Sequence, residues 1–595
     1  MFKIRTNHGE TLYSHGESIL ESLQNSGIYL QASCGGKGVC GRCKIRVIEG
    51  KIKTEVFFSI TEQERAKGYV LACQSYPESD IFIEIPEKLI TVSERISKAY
   101  TDIIEKHFKE KQLNPSVKKI HLKLRQPSIE DSQADFERIK QVLGKVSISR
   151  RLITELPEIL RNKKWQTAVT VADGEVVDFT DSILYGAAID IGTTTIACAL
   201  VDLENGRIAG TTTCYNSQIA YGDDVITRII YASENPEGLK ILRKCVVDDV
   251  NALINAISKR HKNCKIFYFS LAGNTTMMHI FWGINPEYIR HEPYTPAINH
   301  YPLWKASDAE LLSEPEIPVY TLPSVAGYVG GDIVGGVLAS GMYMNDELSL
   351  FIDIGTNGEI VIGNREWLVT ASTSAGPCFE GSGIKCGMRA TAGALEAFSY
   401  NAETDKFEIK VIGETKPAGI CGSGMIDIVS ELFSSGVIDR KGKLLMESSR
   451  WIKTIDYETA FFITENCYIC QSDIDNIIRA KAAIYAGIST LLNEVGIKEK
   501  DIKKVYIAGG FGEFLNVKKA IRIGMLPNLL EDKFSFIGNA SLSGAVLTLL
   551  STELREEAES IADRMTYIDL SRSKMFMDEY VSALFLPHTD SERFE

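Results

Sequence analysis

The sequence lacks the features of a membrane, secreted or nucleic-acid-binding protein. It has no apolar stretch of about 18 residues that could span a bilayer. Its beginning, MFKIRTNHGETLYSHGE, has neither the basic start nor the apolar run of a secretory signal. Positive charge is not in excess, because 65 basic residues stand against 78 acidic ones and the net charge is −13. We therefore expect a cytoplasmic protein that binds neither membranes nor nucleic acid.

Two common nucleotide-binding motifs are also missing. No G-x-x-x-x-G-K-[ST] occurs, which excludes a P-loop. No G-x-G-x-x-G follows an early strand, which argues against a built-in dinucleotide reductase, although an unusual flavin site stays open. Any nucleotide must be bound by another kind of loop.

The sequence is not short of cysteine, but its 13 cysteines do not suggest disulfides. An odd number cannot pair completely, and the reducing cytosol keeps thiols reduced. Ligation of a metal or a cluster is the better explanation for at least some of them.

One group of cysteines has the spacing of an iron–sulfur site. Cys34, Cys40 and Cys43 lie in the glycine-rich segment ASCGGKGVCGRCKIRV, and Cys73 follows in VLACQS. Four thiolates hold the two irons of a [2Fe–2S] cluster, and glycines let the loop wrap around it. A zinc ribbon or unrelated thiols are the alternatives, but a zinc ribbon would show two paired C-x-x-C ends. The five residues of the first gap resemble the adrenodoxin-like variant of the ferredoxin fold.

The remaining candidate ligands are weaker. Cys467 and Cys470 form a lone C-x-x-C without a second pair nearby, so we expect structural or adventitious thiols there. His279 lies in the apolar helical pattern TTMMHIFWGI and is expected to be a core histidine rather than a ligand.

The chain is too long for one hydrophobic core, and its pattern changes three times along its length. The first part alternates short strands with glycine-rich loops around one helix. A charged, moderately amphipathic stretch follows, then a segment with strand patterns and a helix expected to be capped by Ser132. The expected divisions are a ferredoxin domain over 1–90, a helical linker over 91–115, a middle α+β domain of unknown role over 116–183, and an α/β domain over 184–595.

The last of these regions contains an internal duplication. The phrases AAIDIGTTTIACALVDLENG and SLFIDIGTNGEIVIGNREW share a buried strand, an aspartate, an Ile-Gly-Thr turn and a second strand. A repeat of this kind predicts two similar lobes that face each other.

The repeated turns have the chemistry of phosphate binding. Their N–H and hydroxyl groups can bond phosphate oxygens, and the two aspartates can hold Mg²⁺ largely through water. A later glycine turn in IAGGFGEF, after the strand KKVYIA, permits the close backbone approach of an adenosine site. Glu359 could orient the attacking water or be a solvated strand residue. The candidate ATP-site residues are Asp190, Gly192, Thr193, Thr194 and Thr195; Asp353, Gly355, Thr356, Asn357 and Glu359; and Gly509, Gly510 and Gly512.

These turns together resemble the acetate and sugar kinase, Hsp70 and actin superfamily. With the fused ferredoxin motif and the segments SLAGNTTMMHIFWGINP, TLPSVAGYVGGD, STSAGPCFEGSGIKCGMRA and GICGSGMIDIVSEL, nearly the whole chain resembles the reductive activators of corrinoid proteins. The resemblance implies a multidomain α/β and α+β protein. Its parts would be an N-terminal β-grasp ferredoxin-like domain, a small α+β middle domain and a large two-lobed actin-like ATPase domain.

The resemblance also implies a function in anaerobic metabolism. The chain would return an inactive Co(II) corrinoid to the methyl-accepting Co(I) state, one electron at a time, with ATP hydrolysis. Its partners would be a corrinoid protein of a methyltransferase system and a low-potential donor such as reduced ferredoxin or flavodoxin, with a homodimer through the C-terminal domain. The segment Ser372–Gly383 would be either a docking loop for the corrinoid partner or a plain inter-strand loop.

Three other functions remain open on the sequence alone. The chain could activate another low-potential enzyme such as a radical dehydratase, although those activators usually hold a [4Fe–4S] cluster between subunits. It could be a small-molecule kinase with a redox-sensing ferredoxin domain. It could be an assembly protein of the Hsp70 type, but no peptide-binding β domain follows the ATPase region.

Overall fold

The computed structural model divides the chain into two compact units, residues 1–96 with 113–321 and residues 97–112 with 322–595. Among the described residues, no helix has both the length and the apolar character needed to cross a membrane. The structure describes residues 2–7, 9–26, 30, 43–54, 60, 62–85, 91–93, 98–109, 112–261, 264–455, 457–509 and 515–594.

The first unit begins with a β-grasp fold. Its five-stranded sheet has the order β2-β1-β7-β3-β5, in which β1 and β7 are parallel and the other neighbours antiparallel. Ile19, Leu20 and Leu23 of helix α1 are buried in its core. The predicted ferredoxin-like fold is confirmed. Its elements are β1 (Phe2–Thr6), β2 (Thr11–Ser14), α1 (Ile19–Asn25), β3 (Lys44–Glu49), β4 (Ile52–Thr54), α2 (Glu62–Ala66), β5 (Tyr69–Leu71), β6 (Ser75–Pro77) and β7 (Ile81–Glu84).

A four-stranded sheet of order β10-β12-β11-β9 with two helices forms the middle part. The helix predicted to start at Ser132 begins at Asp135 instead, because Ala134 holds the extended position before it. Helix α5, which the sequence analysis did not identify, is capped by the Ser149 side chain. The elements from residue 91 to 178 are β8 (Thr91–Ser93), α3 (Lys98–Phe108), β9 (Val117–Lys123), α4 (Asp135–Leu143), β10 (Ser147–Ile148), α5 (Arg150–Asn162), β11 (Gln166–Ala172) and β12 (Glu175–Asp178).

The rest of the first unit is built on a seven-stranded sheet of order β17-β18-β16-β13-β14-β15-β8. Its strand β8 comes from the segment after the β-grasp fold and pairs with β15. The elements are β13 (Tyr185–Ile191), β14 (Thr195–Asp202), β15 (Ile208–Tyr215), α6 (Val225–Glu234), α7 (Gly238–Ser258), β16 (Ile266–Gly273), α8 (Thr275–Trp282), β17 (Trp304–Lys305), α9 (Ala306–Ala309) and β18 (Pro318–Thr321).

The second unit has a six-stranded sheet of order β29-β28-β19-β20-β21-β30 and two three-stranded sheets, β23-β22-β24 and β25-β26-β27. Helix α3 belongs to this unit. The other elements are α10 (Gly331–Ser340), β19 (Ser349–Ile354), β20 (Gly358–Gly363), β21 (Leu368–Thr373), β22 (Ala394–Asn401), β23 (Lys406–Val411), β24 (Gly419–Ile420), α11 (Gly422–Ser434), β25 (Ile452–Ile455), β26 (Glu458–Thr464), β27 (Cys467–Cys470), α12 (Gln471–Glu494), β28 (Lys504–Ala508), α13 (Val517–Arg522), β29 (Phe534–Phe536), α14 (Ala540–Leu550), α15 (Thr552–Arg564), β30 (Met565–Tyr567) and α16 (Lys574–Ala583).

The two large sheets confirm the predicted duplication. In the first, β13, β14 and β15 form an antiparallel meander, and β16 and β18 continue from β13 in parallel. In the second, β19, β20 and β21 form the same meander, and β28 and β29 continue from β19 in parallel. Each Asp-Ile-Gly turn joins the first two strands of its meander, so both turns lie at the carboxyl edge of their sheets.

Candidate functional site

The first phosphate turn is a tight connection between β13 and β14. Asp190 is the penultimate residue of β13 and is half-buried. The Gly192 N–H donates to the Thr195 carbonyl at 3.0 Å, which closes the turn. A Cβ at Gly192 would lie 2.6 Å from that same carbonyl oxygen, so the turn requires glycine there.

Two asparagines hold this turn from neighbouring elements. The Asn216 side-chain amide donates to the Gly192 carbonyl at 2.9 Å, and its N–H donates to the Thr194 carbonyl at 3.0 Å. The Asn274 amide donates to the Thr193 hydroxyl at 3.0 Å. Asn274 also caps helix α8, which follows β16 at the same sheet edge. The turn therefore has one fixed shape, as a phosphate loop needs.

Arg228, on helix α6, supports the turn from inside the unit. Its side chain is fully buried and donates to the carbonyls of Thr193 at 2.5 Å and Gly222 at 3.0 Å and to the Gln218 amide oxygen at 2.9 Å. Burial lowers the pKa of Arg228 to about 10, which still leaves it charged near neutral pH. The turn thus has a buried cation behind it.

The second phosphate turn joins β19 and β20, and the hydrogen bond that closes it spans one residue fewer than that of the first turn. The Gly355 N–H donates to the Asn357 carbonyl at 3.0 Å. The Thr356 hydroxyl donates to the Glu380 carboxylate at 2.7 Å, which connects the turn to the segment after β21. Asp353 and Glu359 lie directly opposite each other in the antiparallel register. Two of the predicted acidic residues are therefore brought together.

Glu359 is buried, with only 8% of its surface exposed, which excludes the alternative of a solvated strand residue. Burial, together with the nearby charges of Asp332 and Asp353, raises the pKa of Glu359 well above its ordinary value. The Asn357 side chain forms a hydrogen bond with Glu359 and partly opposes this shift. A buried carboxylate with a raised pKa suits proton transfer or the orientation of water.

Gly509 lies beside the second turn. It follows β28, whose Ala508 pairs in parallel with Asp353. Gly509 has a φ of +105°, and a Cβ there would lie 2.4 Å from the Ile354 carbonyl oxygen and 3.3 Å from the Asp353 carboxylate. Glycine is therefore required by both backbone conformation and space. Gly510 and Gly512 lie outside the described residues.

Two of the four predicted cluster ligands are described. Cys43 immediately precedes β3, and Cys73 lies in the turn that follows β5. Because Lys44 pairs with Leu71, both cysteines are at the same end of the sheet, and the Ala72 N–H donates to the Cys43 carbonyl at 2.9 Å. Both are buried, Cys43 at 1% and Cys73 at 5% exposure. Cys34 and Cys40 lie outside the described residues.

Two further predictions concern residues near these turns. His279 is fully buried in α8; its Nδ1 lies 2.8 Å from the Thr275 carbonyl oxygen, and its Nε2 accepts the Ala297 N–H at 3.1 Å. It is a core histidine, as expected. The segment Ser372–Gly383 contains Glu380, so it contacts the second phosphate turn, and its docking to a corrinoid partner stays a prediction.

Four residues that act on these turns from neighbouring elements were not predicted from the sequence: Arg228, Asn216, Asn274 and Asp332. Asp332 lies in the first turn of α10, after Gly330 and Gly331, and its negative charge contributes to the raised pKa of Glu359. A Gly-Gly-Asp start to an apolar helix was the available signal for it. Arg228 gave no signal, because a single arginine in VITRIIYASE is typical of a solvated helix face.

Comparison with known families matches four consecutive parts of the chain. The matching families are a 2Fe-2S iron–sulfur cluster binding domain over residues 6–78, the RACo linker region over 107–182, the RACo middle region over 185–345, and the C-terminal domain of RACo, the ASKHA domain, over 347–595.

Similar proteins cover most or all of the chain. The corrinoid activation enzyme RamQ of Eubacterium limosum is 30% identical over 598 residues, which is 95% of each chain. A [Co(II) methylated amine-specific corrinoid protein] reductase of Methanosarcina barkeri is 24% identical over 435 residues, 67% of this chain and 77% of the relative. A solved structure of a reductive activator for a corrinoid, iron–sulfur protein is 41% identical, covers all of both chains and superposes with a TM-score of 0.78.

Proposed function

The chain belongs to the RACo family of reductive activators of corrinoid proteins, and on this premise we propose that it reduces the Co(II) of a partner's corrinoid to Co(I) with hydrolysis of ATP. The observation that carries the proposal is the presence, in one chain, of an iron–sulfur binding fold and two phosphate turns of the actin-like type. A kinase needs no cluster, and a ferredoxin needs no phosphate turns.

The β-grasp domain suits a [2Fe–2S] cluster. Cys43 and Cys73 are both buried at the same end of the paired strands β3 and β5, so their thiolates would be desolvated ligands. When bound by these four cysteines, the cluster supplies single electrons, at a potential of roughly −400 mV in plant-type ferredoxins.

The two phosphate turns divide the work on ATP. The backbone N–H and hydroxyl groups of Gly192 to Thr195 and of Gly355 to Asn357 bind phosphate oxygens. Asp190 and Asp353 are the residues that would hold Mg²⁺, which would neutralise charge on the phosphates. Gly509, with Gly510 and Gly512, lets the backbone approach the adenosine. Glu359, kept in place by Asn357, orients the attacking water and accepts its proton.

Coupling to ATP follows from energetics. Co(I) is a strongly reducing species, and each 100 mV that the donor falls short costs about 2.3 kcal/mol per electron. A nucleotide can offset such a deficit only by binding two states of the protein with different affinity. The activator would bind the Co(II) partner, weaken the axial ligation of cobalt, and use hydrolysis to drive release after reduction.

Three finer points belong to the same proposal. The electron donor is a low-potential protein such as reduced ferredoxin or flavodoxin, and the activator is a homodimer through its C-terminal domain. We propose the domain divisions 1–90, 91–115, 116–183 and 184–595, with strand β8 of the second segment paired in a sheet of the last. Sedimentation of the intact protein at several concentrations tests the dimer, since a monomer throughout would contradict it.

The decisive experiment is an anaerobic optical titration of the protein with a Co(II) corrinoid protein of a methyltransferase system and a low-potential reductant. With Mg-ATP, the absorption band of Co(I) is expected to appear. Without ATP it should not, because the uphill transfer then has no driving force. Turnover without ATP would contradict the coupling, and a reducible cluster that never yields Co(I) would point to a different low-potential acceptor.

A further inference from the structure

A group of sulfur-bearing side chains lies where the segment after residue 383 meets β27 and the start of α12. The Asp473 carboxylate, 1% exposed, organises this place. Its Oδ1 accepts the Lys385 N–H at 3.0 Å, and its Oδ2 accepts the Cys470 N–H at 3.1 Å and the Cys470 thiol at 2.9 Å. Two chain segments far apart in sequence are thus joined, and the residue after Lys385 is brought against β27.

That residue is Cys386. Its Sγ lies 3.7 Å from the Asn466 carbonyl oxygen, immediately before β27. The thiol of Cys467 and the N–H of Tyr468 both donate hydrogen bonds to the same sulfur. Cys386 and Cys467 are therefore direct neighbours across the contact, although 80 residues separate them in the chain.

The two thiols differ in the way that attacking and resolving cysteines differ. Cys386 is partly exposed, and the hydrogen bond from Cys467, helped by the Lys385 charge, lowers its pKa. Cys467 is fully buried, and its hydrogen bond to Cys386 together with burial raises its pKa. A partly exposed sulfur with stabilised negative charge is the nucleophile in thiol exchange, and a buried neighbour completes the reaction.

In the described part of the chain, Cys386 and Cys467 do not belong to a metal site, and Cys470 is not the partner of Cys386. Within the described ranges, no group of three or more His, Cys, Asp and Glu side chains is arranged to hold a metal ion. The Cys470 thiol donates a hydrogen bond to the Asp473 carboxylate, and burial raises the pKa of Cys470 to about 12, so it stays a thiol. Cys467 is the partner that the geometry offers to Cys386.

We propose that Cys386 and Cys467 form a reversible disulfide site that responds to small-molecule disulfides. The Cys386 thiolate attacks the disulfide, forms a mixed disulfide and releases one thiol. The Cys467 sulfur, after losing its proton, attacks the Cys386 sulfur and releases the second thiol. The protein loses two electrons and two protons, and the small disulfide is reduced to two thiols.

The position of the site gives oxidation a consequence. Glu380, which accepts the Thr356 hydroxyl of the second phosphate turn, lies in the same short segment as Cys386. Within this segment a Cβ at Gly387 would lie 2.4 Å from the Gly381 carbonyl oxygen, so its two ends pack on each other. A bond from Cys386 to Cys467 would change that packing. Oxidation therefore lowers the affinity for ATP, an effect that rests on the proposed function of the turn.

The test uses the intact holoprotein, kept anaerobic, in mixtures of reduced and oxidised glutathione. After alkylation with N-ethylmaleimide and digestion without reductant, mass spectrometry is expected to find one peptide pair joined through Cys386 and Cys467. A bond between Cys467 and Cys470, a bond from Cys386 to Cys470, or none under the most oxidising mixture would overturn the assignment.

Single substitutions separate the two roles. Cys467→Ser should stop the reaction at a glutathione adduct on Cys386, and Cys386→Ser should leave Cys467 unmodified. Cys470→Ser is the matched control, because serine can still donate to Asp473, and it should leave the bond unchanged. An adduct that forms on Cys467 first would reverse the roles and refute the proposal. Circular dichroism of each variant verifies the fold.

The effect on ATP is measured by calorimetric titration of the oxidised and the reduced protein. Roughly tenfold weaker binding after oxidation, about 1.4 kcal/mol, is expected and should be reversed by dithiothreitol. Equal affinities would refute the regulatory effect. Failure of the reduced protein to bind ATP would instead refute the proposed function of the turns, and the peptide mapping does not depend on it.

Discussion

At the scale of single residues, we propose that Glu359, which lies beside the second phosphate turn, activates the attacking water. Its carboxyl is buried beside two other carboxyl groups, so its charged form is unfavourable in the folded protein. We expect Glu359→Gln to lower the rate of ATP hydrolysis by roughly 10²- to 10⁴-fold while ATP still binds, because glutamine can position water but cannot accept a proton. Steady-state hydrolysis and calorimetric binding test this, with the exposed Glu366→Gln as control. Loss of binding together with hydrolysis would contradict the role.

The same substitution should stabilise the protein. Folding raises the pKa of this carboxyl group above its value in the unfolded chain. The free energy of unfolding is therefore highest below the pKa of the unfolded chain, and it falls as the pH rises toward the pKa of the folded protein. Glutamine removes that loss, so Glu359→Gln should raise the unfolding temperature by roughly 2–4 °C at pH 7.5 and less at pH 5. Thermal unfolding in EDTA, which keeps Mg²⁺ from neutralising the carboxylates, checks this. If Glu359→Gln instead lowered the unfolding temperature at pH 7.5, the negative charge of Glu359 would be stabilised by its surroundings, which would contradict the prediction.

Arg228 has a positioning role in the first turn. Lysine in its place keeps the charge but cannot reach the Thr193 and Gly222 carbonyls and Gln218 together, because its donors sit on one nitrogen. We expect Arg228→Lys to raise the KM for ATP roughly tenfold, or about 1.4 kcal/mol, with a smaller change in kcat. Steady-state kinetics beside the exposed Arg207→Lys measures the difference. A tenfold fall in kcat with an unchanged KM would contradict this positioning role of Arg228.

Among single residues, those that belong to a recognisable sequence motif could be predicted. Asp190 and Asp353 stand in repeated phrases, and Cys43 and Cys73 in a recognisable spacing. Arg228 and the contact between Cys386 and Cys467 depend on which helix face or loop turns inward. That is set by tertiary packing, which a local pattern does not contain.

At the scale of elements, the glycine turn after β28 shows how close the backbone comes to the second phosphate turn. Gly509→Ala adds a Cβ in contact with the Ile354 carbonyl at a positive φ, whereas Gly496→Ala, with a φ of +68°, meets nothing within 4 Å. The control should lose about 1–2 kcal/mol of folding stability from the left-handed conformation alone. Gly509→Ala should lose more folding stability than the control and should also bind ATP more weakly. Urea unfolding and ATP titration compare them, and equal effects would mean that the turn relaxes.

Elements with a strong local pattern were predicted well, and those defined by pairing were not. The strand that carries Asp190 and the strand β28 follow from their apolar runs. Helix α5 was not predicted because Pro157 lies inside it, and a proline usually kinks or ends a helix. Strand β8 has too few residues for any periodicity, and only its partner β15 makes it a strand.

For the whole molecule, the family implies that electron supply and ATP hydrolysis reside in different domains. Cys73→Ser should therefore remove the visible absorption and iron of the cluster and abolish formation of Co(I), while ATP hydrolysis stays near its original rate. Cys264→Ser, a half-buried cysteine outside the cluster motif, is the control. Absorption spectra, iron content and hydrolysis assays measure the outcome. If hydrolysis falls with the iron, the domains are coupled even without a partner.

The short strand β8 has a consequence for any attempt to produce the ATPase region alone. It pairs with the middle of β15, at Thr211 to Thr213, along the outer edge of the seven-stranded sheet, where those backbone groups would otherwise lack strand partners. Exposed edges of this kind recruit other chains and lead to aggregation. A fragment that starts after residue 93 would expose this edge, whereas one that starts just before residue 91 would keep it covered. We therefore expect the segment that leaves the ferredoxin-like domain also to limit self-association of this sheet, and light scattering of the two fragments would test it.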